Sequence, residues 1–363
     1  MKILFFSHEY PPFGGGAGRV AEANVKKLSD KGVEVDLLSR NLSQFSDVKL
    51  HIKVWYVPKI YQIFYFFKFR KLNFEKYDLI ILNDMTSIYL AGVFFPKKVL
   101  SKSICFLHGS EPEKIVYFPN LEFKFLKYHF FFSRVLCNCK NIIAVSSFMR
   151  NKFISAFGKE YENKTNIIRS PINEIFLNEK LVLNDKAAEQ NIKLITVSRL
   201  DKGKGIDKMI AAFKKVVDCN KDIFWSIVGS GDQEIELKKL VSDLGLDTQI
   251  NFLGRKSQSD IACLYRESHL FWLLSDLKES FGLVYLESQY CGCPVIGYKK
   301  HGVTEAVIDR KSNHLVDSID EAVNIILAKN YLNVNRNQIS RSAKESGYQD
   351  EFINYIQTLM SNN

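Results

Sequence analysis

The feature that most constrains this chain is a repeated alternation of short apolar runs with amphipathic stretches, in two series. In the first series, Lys2–Ser7, Val33–Ser39, Leu79–Asn83, Ser103–His108 and Asn141–Val145 read as strands, each followed by polar or glycine residues. Between the first two, Arg19–Asp30 has Val20, Ala21, Val25 and Leu28 at helical spacing and stops at Lys31-Gly32. A second series starts near Lys193. It predicts strands at Leu194–Ser198, Phe224–Val228, Ile250–Leu253, Leu270–Leu274 and Pro294–Gly297, and a helix over Ile206–Val217. Strands that are apolar throughout and alternate with helices make parallel sheets covered on both faces. The fold class is α/β, with two doubly wound Rossmann-like domains. The expected division is an N-terminal domain over 1–177, a linker over 178–192 within the polar stretch Asn178–Asn191, a C-terminal domain over 193–345, and a final amphipathic segment over 346–363.

Composition narrows the class. The chain has 363 residues, 46% of them hydrophobic, and no run of 18 apolar residues. The opening Met1–Phe6 is too short for a signal peptide and suits a buried strand. Seven cysteines without a CxxC pair read as buried, reduced thiols of a cytoplasmic protein, and no His/Cys cluster has zinc spacing, so no metal is expected. Net charge is +10 and unevenly placed: residues 1–175 hold 26 Lys+Arg against 15 Asp+Glu, leaving the remainder near neutral. An anionic partner for the first half is implied. Two segments there mix aromatics with bases. Trp55–Phe74 contains nine aromatics with Lys59, Lys68, Arg70 and Lys71, and Tyr117–Arg134 contains Phe118, Phe123, Phe125 and Phe130–Phe132 with Lys124, Lys127 and Arg134. Part of this set must fill the core. The rest has the composition of an interface with an anionic membrane, and single-stranded nucleic acid is the disfavoured alternative.

The chemistry gathers in a few motifs. Ser198-Arg199-Leu200-Asp201-Lys202-Gly203-Lys204-Gly205 sets two cations five apart between a strand and a helix, where glycines let backbone approach a phosphate. Glu279-Ser280-Phe281-Gly282-Leu283-Val284-Tyr285-Leu286-Glu287 sets two acids eight apart, the second about one turn inside a helix. Bases neutralise a diphosphate and acids accept hydrogen bonds from hydroxyls. Gly229-Ser230-Gly231-Asp232 and Gly254-Arg255 form further turns after strands, and His108 stands at a strand end before Gly109. Pro11-Pro12-Phe13-Gly14-Gly15-Gly16-Ala17-Gly18-Arg19 is a poor dinucleotide fingerprint, because the loop is long and no acid ends the next strand.

Together these motifs resemble the retaining glycosyltransferases of family 4, whose GT-B fold sets two Rossmann-like domains facing across a cleft. The resemblance implies donor contacts from Gly15, Gly16, Arg199, Lys204, Gly229, Gly254, Arg255, Glu279, Phe281, Gly282, Leu283 and Glu287. Glu287 is assigned to ribose hydroxyls, Glu279 to the transferred sugar, and the amides of Phe281, Gly282 and Leu283 to the diphosphate. It implies catalytic roles for His108, Arg199, Lys204 and Glu279, and an acceptor side formed by Gly14, Gly15 and His108. The family's final helix crosses back to the first domain. The implied reaction moves a hexose or N-acetylhexosamine from a nucleotide diphosphate sugar, UDP favoured over GDP, to a glycan or lipid-linked acceptor at the inner face of the membrane. Anomeric configuration is retained and neither metal nor other cofactor is used. A nucleotide-sugar epimerase of the same fold would need acid/base carboxylates around the sugar, and a non-catalytic scaffold would be expected to lose one of the four charged residues. His301 departs from the family's usual Gly-Gly.

Overall fold

The computed structural model describes residues 1–11, 15–40, 50–54, 61–177 and 191–361. Gly14, residues 55–60 of the first aromatic segment and residues 178–190 of the expected linker lie outside the described residues. The chain forms two compact units, Met1–Pro171 with Tyr348–Asn363, and Ile172–Gly347. Residues 172–177 thus group with the second unit and the C-terminal stretch with the first.

The described residues of the first unit form a parallel sheet of β1 (Lys2–Phe6), β2 (Glu34–Arg40), β3 (Leu50–Val54), β4 (Leu79–Leu82), β5 (Ser103–Leu107), β6 (Asn141–Ala144) and β7 (Thr165–Ile167), in the order β3-β2-β1-β4-β5-β6-β7. Its helices are α1 (Gly16–Asp30), α2 (Tyr61–Arg70), α3 (Met85–Phe94), α4 (Lys97–Leu100), α5 (Leu121–Phe125), α6 (Tyr128–Asn138) and α7 (Ser147–Phe157). Alternation along β1 explains the two faces. Ile3 and Phe5 pack with Ala21, Val25 and Leu28 of α1 and with Phe352, Ile353 and Ile356 of the C-terminal helix Glu351–Ser361. Phe6 points the other way, its ring 5.3 Å from Tyr65 and 5.7 Å from Phe69 of α2. Each such side chain, when fully buried, contributes about 1.5–3 kcal/mol, so three residues of the C-terminal helix suffice to hold it in this core.

The second unit has β8 (Ile192–Val197), β9 (Ile223–Val228), β10 (Ile250–Gly254), β11 (Leu270–Leu273), β12 (Val295–Tyr298) and β13 (His314–Val316) in the order β10-β9-β8-β11-β12-β13, all parallel. Its helices are α8 (Ile206–Cys219), α9 (Glu234–Asp243), α10 (Gln258–Glu267), α11 (Leu283–Tyr290), α12 (Val303–Ala306), α13 (Ile319–Ala328) and α14 (Arg336–Glu345). The Trp225 and Trp272 rings pack 4.7 Å apart in its core, tilted by 55°, and the Trp225 indole donates to Thr196 Oγ1 at 3.0 Å. In both sheets the chain order reverses once, between β1 and β4 and between β8 and β11. Loops diverge there and leave a crevice at the strands' carboxyl ends.

The structure corrects several expectations. β3, β7 and β13 escape the reading of apolar runs because each lies at a sheet edge and carries polar residues such as His51, Asn166 and His314. Helix α1 begins at Gly16, three residues before the predicted start, so Gly16 and Gly18 are helical residues and not part of an open glycine loop. All seven cysteines are free, but Cys137 and Cys219 are exposed, not buried. His301 adopts φ +55°, a left-handed conformation in which glycine is the unstrained choice, and this is the physical reason for a Gly-Gly preference there.

Candidate active site

In the second unit the predicted residues lie in the loops after β8, β9, β10 and β11, with Lys204 and Glu279 beside the reversal point. After β8 the chain turns through Gly203 (φ +91°) and Gly205 (φ +72°) into α8. A Cβ on Gly205 would lie 2.4 Å from the Leu274 carbonyl oxygen, so only glycine lets this loop lie against the one after β11. Two hydrogen bonds tie them, from Asp276 N and Leu277 N to Gly203 O at 3.0 and 3.1 Å. This lacing brings Lys204 to Glu279, whose Oε1 accepts from the ammonium at 2.6 Å. Both side chains are mostly buried, 13% and 19% exposed, so the pair is shielded yet reachable. The Glu279 carbonyl is in turn held by Gly302 N at 2.9 Å.

Around this pair, Arg199 is exposed and forms an ion pair with Asp201 at 2.5 Å. Gly229 (φ +139°) donates to Gly254 O at 2.9 Å, and a Cβ on it would lie 1.8 Å from the Ser198 carbonyl oxygen. Exposed Arg255 donates through Nε to Ser230 Oγ at 2.8 Å. Phe281 is buried at 3% exposure, so a ligand would meet its backbone and not its ring. Gly282 (φ +95°) caps α11, and Leu283 is the first residue of that helix. The amides at a helix start have no intrahelical acceptor and point outward toward an anion. Glu287 lies half-buried in the second turn of α11. Burial, then the charge of Glu287, pushes the neighbouring Tyr265 phenol well above its ordinary range.

The first unit contributes a separate polar cluster at its own reversal point, after β1, β4 and β5. Glu111 fixes the turn after β5, one oxygen accepting from His108 N at 2.8 Å and the other from Gly109 N at 2.7 Å. The His108 ring bonds the Asn83 backbone, and Asn83 N is already spent on Phe6 O. The contact therefore uses the Asn83 carbonyl and a protonated ring nitrogen of His108. Nε2 is buried with no hydrogen-bond partner, so Nδ1 carries that proton. Burial lowers the His108 pKa, opposed by the Glu111 and Glu9 charges. The result is a neutral imidazole offering a lone pair at Nε2.

Three acids and a second histidine of this cluster were not singled out by sequence reasoning. Asp84 is buried at 3% exposure and caps α3 through Ser87 N at 2.8 Å. Its other oxygen accepts from His8 N at 2.5 Å, Glu9 N at 3.0 Å and Ser7 Oγ at 3.2 Å. Burial and repulsion from Glu9 outweigh these donors and raise its pKa to about 6. Glu9 accepts from Gly15 N at 3.1 Å. His8 takes a hydrogen bond from Arg40 Nε at 2.9 Å on Nε2 and meets the Tyr65 hydroxyl at 2.9 Å on Nδ1. Burial, then the Arg40 charge, lowers its pKa to about 3. A signal existed, since the polar runs Ser7-His8-Glu9 and Asn83-Asp84 begin at the last residue of predicted strands. Among the described residues, no three His, Cys, Asp or Glu side chains come together as metal ligands would.

Comparison with known proteins decides the family. The model described as Glycosyltransferase Family 4 matches residues 14–174 and the one described as Glycosyl transferases group 1 matches residues 180–346. The chain belongs to the family 4 (group 1) glycosyltransferases. An uncharacterized glycosyltransferase of Methanocaldococcus jannaschii is 28% identical over 318 residues, covering 85% of this chain and 82% of that protein. The N-acetyl-alpha-D-glucosaminyl L-malate synthase of Bacillus anthracis is 24% identical over 357 residues, covering 87% and 84%. Among solved structures, Anabaena HepE in complex with UDP and glucose aligns with TM-score 0.76 at 21% identity, covering 100% of this chain and 99% of that one. Sucrose-phosphate synthase from Thermosynechococcus elongatus aligns with TM-score 0.75 at 19% identity, covering both chains fully. The fold of this glycosyltransferase is therefore GT-B.

Proposed function

We propose that this glycosyltransferase moves a hexose or N-acetylhexosamine from a UDP-sugar to a hydroxyl of a glycan or lipid-linked acceptor, with retention of anomeric configuration. The observation that carries the reading is the shielded Lys204–Glu279 pair at 2.6 Å, laced in place by Gly203 and Gly205 beside the start of α11. Lys204 and Arg199 meet the diphosphate, the amides of Gly282 and Leu283 add donors, and the charge that builds on the leaving group is stabilised where it forms. Glu279 accepts from hydroxyls of the sugar and Glu287 from those of the ribose. His108 Nε2, an acceptor by its tautomer, takes a hydroxyl of the sugar or acceptor. The bond from the anomeric carbon to the diphosphate breaks, the acceptor oxygen bonds that carbon on the same face, and its proton passes to the departing phosphate oxygen. Asp84 and Glu111 are committed to backbone donors, which argues against a covalent intermediate on either. With two cations and helix-start amides at hand, the reading has no need of a metal. Support for UDP comes from HepE, solved with UDP and glucose, and for an N-acetylhexosamine from the Bacillus relative.

The same reading sets the enzyme peripherally on an anionic membrane. Tyr65, Phe69, Tyr128 and Phe132 are core residues, but Phe67, Phe118, Leu121, Phe125 and Phe130 are 57%, 80%, 85%, 87% and 62% exposed. Lys114, Lys124 and Lys127 are exposed among them. No described helix is long and apolar enough to cross a membrane. Co-sedimentation with anionic liposomes that weakens with salt is expected, and no binding at low salt would refute this part. The donor is tested by thermal shift against UDP, GDP and their sugar conjugates, with Glu287→Ala as control. A ligand at about 100 times its Kd stabilises by about 2.7 kcal/mol. A shift absent for every nucleotide, or unchanged in the variant, would overturn the assignment.

A further inference from the structure

Among the described residues, three other than glycine have positive φ: Lys127 (+51°), His301 (+55°) and Lys329 (+57°). Lys127 and Lys329 are exposed and stand at helix ends, before α6 and after α13, where a left-handed residue turns the chain. His301 stands elsewhere. It is half-buried, in the loop between β12 and α12, and its backbone is held on both sides. Gly302 N donates to the Glu279 carbonyl at 2.9 Å, and Thr304 Oγ1 donates to the His301 carbonyl at 2.8 Å. A Cβ on Gly302 would collide with the Ser280 carbonyl oxygen and lie 2.6 Å from Phe281 N, so the chain here runs directly against the segment that carries Glu279. These contacts fix the left-handed turn, in which a residue with a Cβ is strained and glycine is not. The loop therefore carries an imidazole at a cost that glycine would remove. It does so next to the residue whose carboxylate accepts from Lys204 at 2.6 Å. Strain that persists beside a site points from the outlier to a function.

We propose that His301 is a specificity-determining residue whose imidazole meets the transferred sugar beside Glu279. The inference rests on the reading of the second unit as the donor side and adds which residue selects the sugar. The backbone contact of this loop runs to Glu279, assigned to the sugar, and not to Glu287, assigned to the ribose, so the side chain reads the sugar half of the donor. The chemistry is complementary. A carboxylate only accepts hydrogen bonds, whereas a neutral imidazole offers one donor and one acceptor. Together they distinguish the configuration of neighbouring hydroxyls, and the imidazole supplies a donor for an acetamido carbonyl that Glu279 cannot bind.

The test is calorimetric titration of wild type, His301→Gly and His301→Asn with UDP, GDP, UDP-glucose, UDP-galactose, UDP-N-acetylglucosamine and GDP-mannose, with urea denaturation of the same proteins. His301→Gly is expected to be more stable than wild type, because the strain is gone. Its affinity for the nucleotide alone should stay within about twofold, while that for the preferred nucleotide sugar falls by about three- to tenfold, the loss of one hydrogen bond. Preference among the sugars should narrow in proportion. His301→Asn, whose short amide tolerates the left-handed turn and keeps a donor and an acceptor, should lose less. A stabilised His301→Gly that binds every nucleotide sugar as wild type does would overturn the proposal. So would equal losses for nucleotide and nucleotide sugar, which would place the fault in the loop, and so would a less stable His301→Gly, which would mean that packing holds the histidine. If wild type bound none of these ligands, the donor reading would fail and this inference with it. If wild type binds and His301→Gly matches it, the inference alone fails.

Discussion

The Lys204–Glu279 pair has two explanations that a double-mutant cycle separates. As a purely structural bridge it would matter only to folding. As donor machinery, Lys204 matters to turnover whatever becomes of Glu279. Removing either partner of a fully buried pair costs about 3–5 kcal/mol. These side chains keep 13% and 19% exposure, so solvent screening lowers the expected cost of Lys204→Met or Glu279→Gln to about 2 kcal/mol. The double variant should be less destabilised than the sum, with a coupling of about 1–2 kcal/mol. Turnover should behave otherwise. A charge-assisted hydrogen bond contributes about 1.5–3 kcal/mol, so losing one from the transition state lowers kcat by about 10- to 150-fold. Urea denaturation reports the first quantity and nucleotide release with saturating donor the second. The expected outcome is that Glu279→Gln adds little further destabilisation to Lys204→Met and restores none of its turnover. Turnover within threefold of wild type in Lys204→Met, or its recovery in the double variant, would sink the catalytic role.

Three further expectations follow from single positions. Glu287→Ala removes the acceptor for ribose hydroxyls and should weaken donor binding by roughly tenfold or more, read by calorimetry, with less effect on kcat at saturation. His108→Leu should lower kcat/KM by at least about tenfold, whereas His108→Gln, which keeps an acceptor oxygen, should recover part of it; equal loss in both would argue against the lone pair at Nε2. His8 is held at a pKa of about 3 against 6.5 when unfolded, so the unfolded chain takes the proton first and stability falls as pH drops below 6.5. The wild-type stability minus that of His8→Gln should shrink by about 2 kcal/mol between pH 6.5 and 5 in urea titrations, and a pH-independent difference would refute the assignment. Asp84 works in the opposite sense. Its pKa of about 6 favours the folded state as pH falls from 6 toward 3.8, so wild type alone would show a flatter profile than either group implies.

Much of this architecture was legible because its causes are local. Central strands such as Leu79–Leu82 are buried on both faces and must be apolar throughout, so a run of Leu and Ile announces them. Helix α8 declares itself by Ile206, Met209, Ile210, Phe213 and Val217 on one face. The edge strands β7 and β13 gave no such signal, because a strand paired on one side can carry Asn166 or His314, although β10, also at an edge, was legible. The start of α1 was hidden for another reason: Gly16 and Gly18 read as loop residues, yet glycine is tolerated in a first turn when the following Val20, Ala21 and Val25 are buried. At the site, the spacing of Lys204, Glu279 and Glu287 was readable. That Lys204 and Glu279 touch was not, since 75 residues separate them and the contact depends on the backbone fit of Gly203 and Gly205. Asp84, Glu9 and Glu111 were passed over because their meaning lies in which amides they accept from. Sequence fixes that one turn at a time and burial decides it only after folding.

Both polar clusters sit at the corresponding place in their sheets, beyond the carboxyl ends of the strands that flank the order reversal, and each is held by a different device. In the first unit buried Asp84 and Glu111 gather backbone amides, and Arg40 holds the His8 ring. In the second unit the device is the Lys204–Glu279 ion pair. In the proposed donor complex the diphosphate draws on Lys204 and would leave Glu279 with a charge and no partner, unless a sugar hydroxyl arrives at the same time. A nucleotide without its sugar supplies the anion but not the hydroxyl. On that proposal the pair ties recognition of the two halves of the donor together, and the intact donor is predicted to bind more tightly than the nucleotide alone.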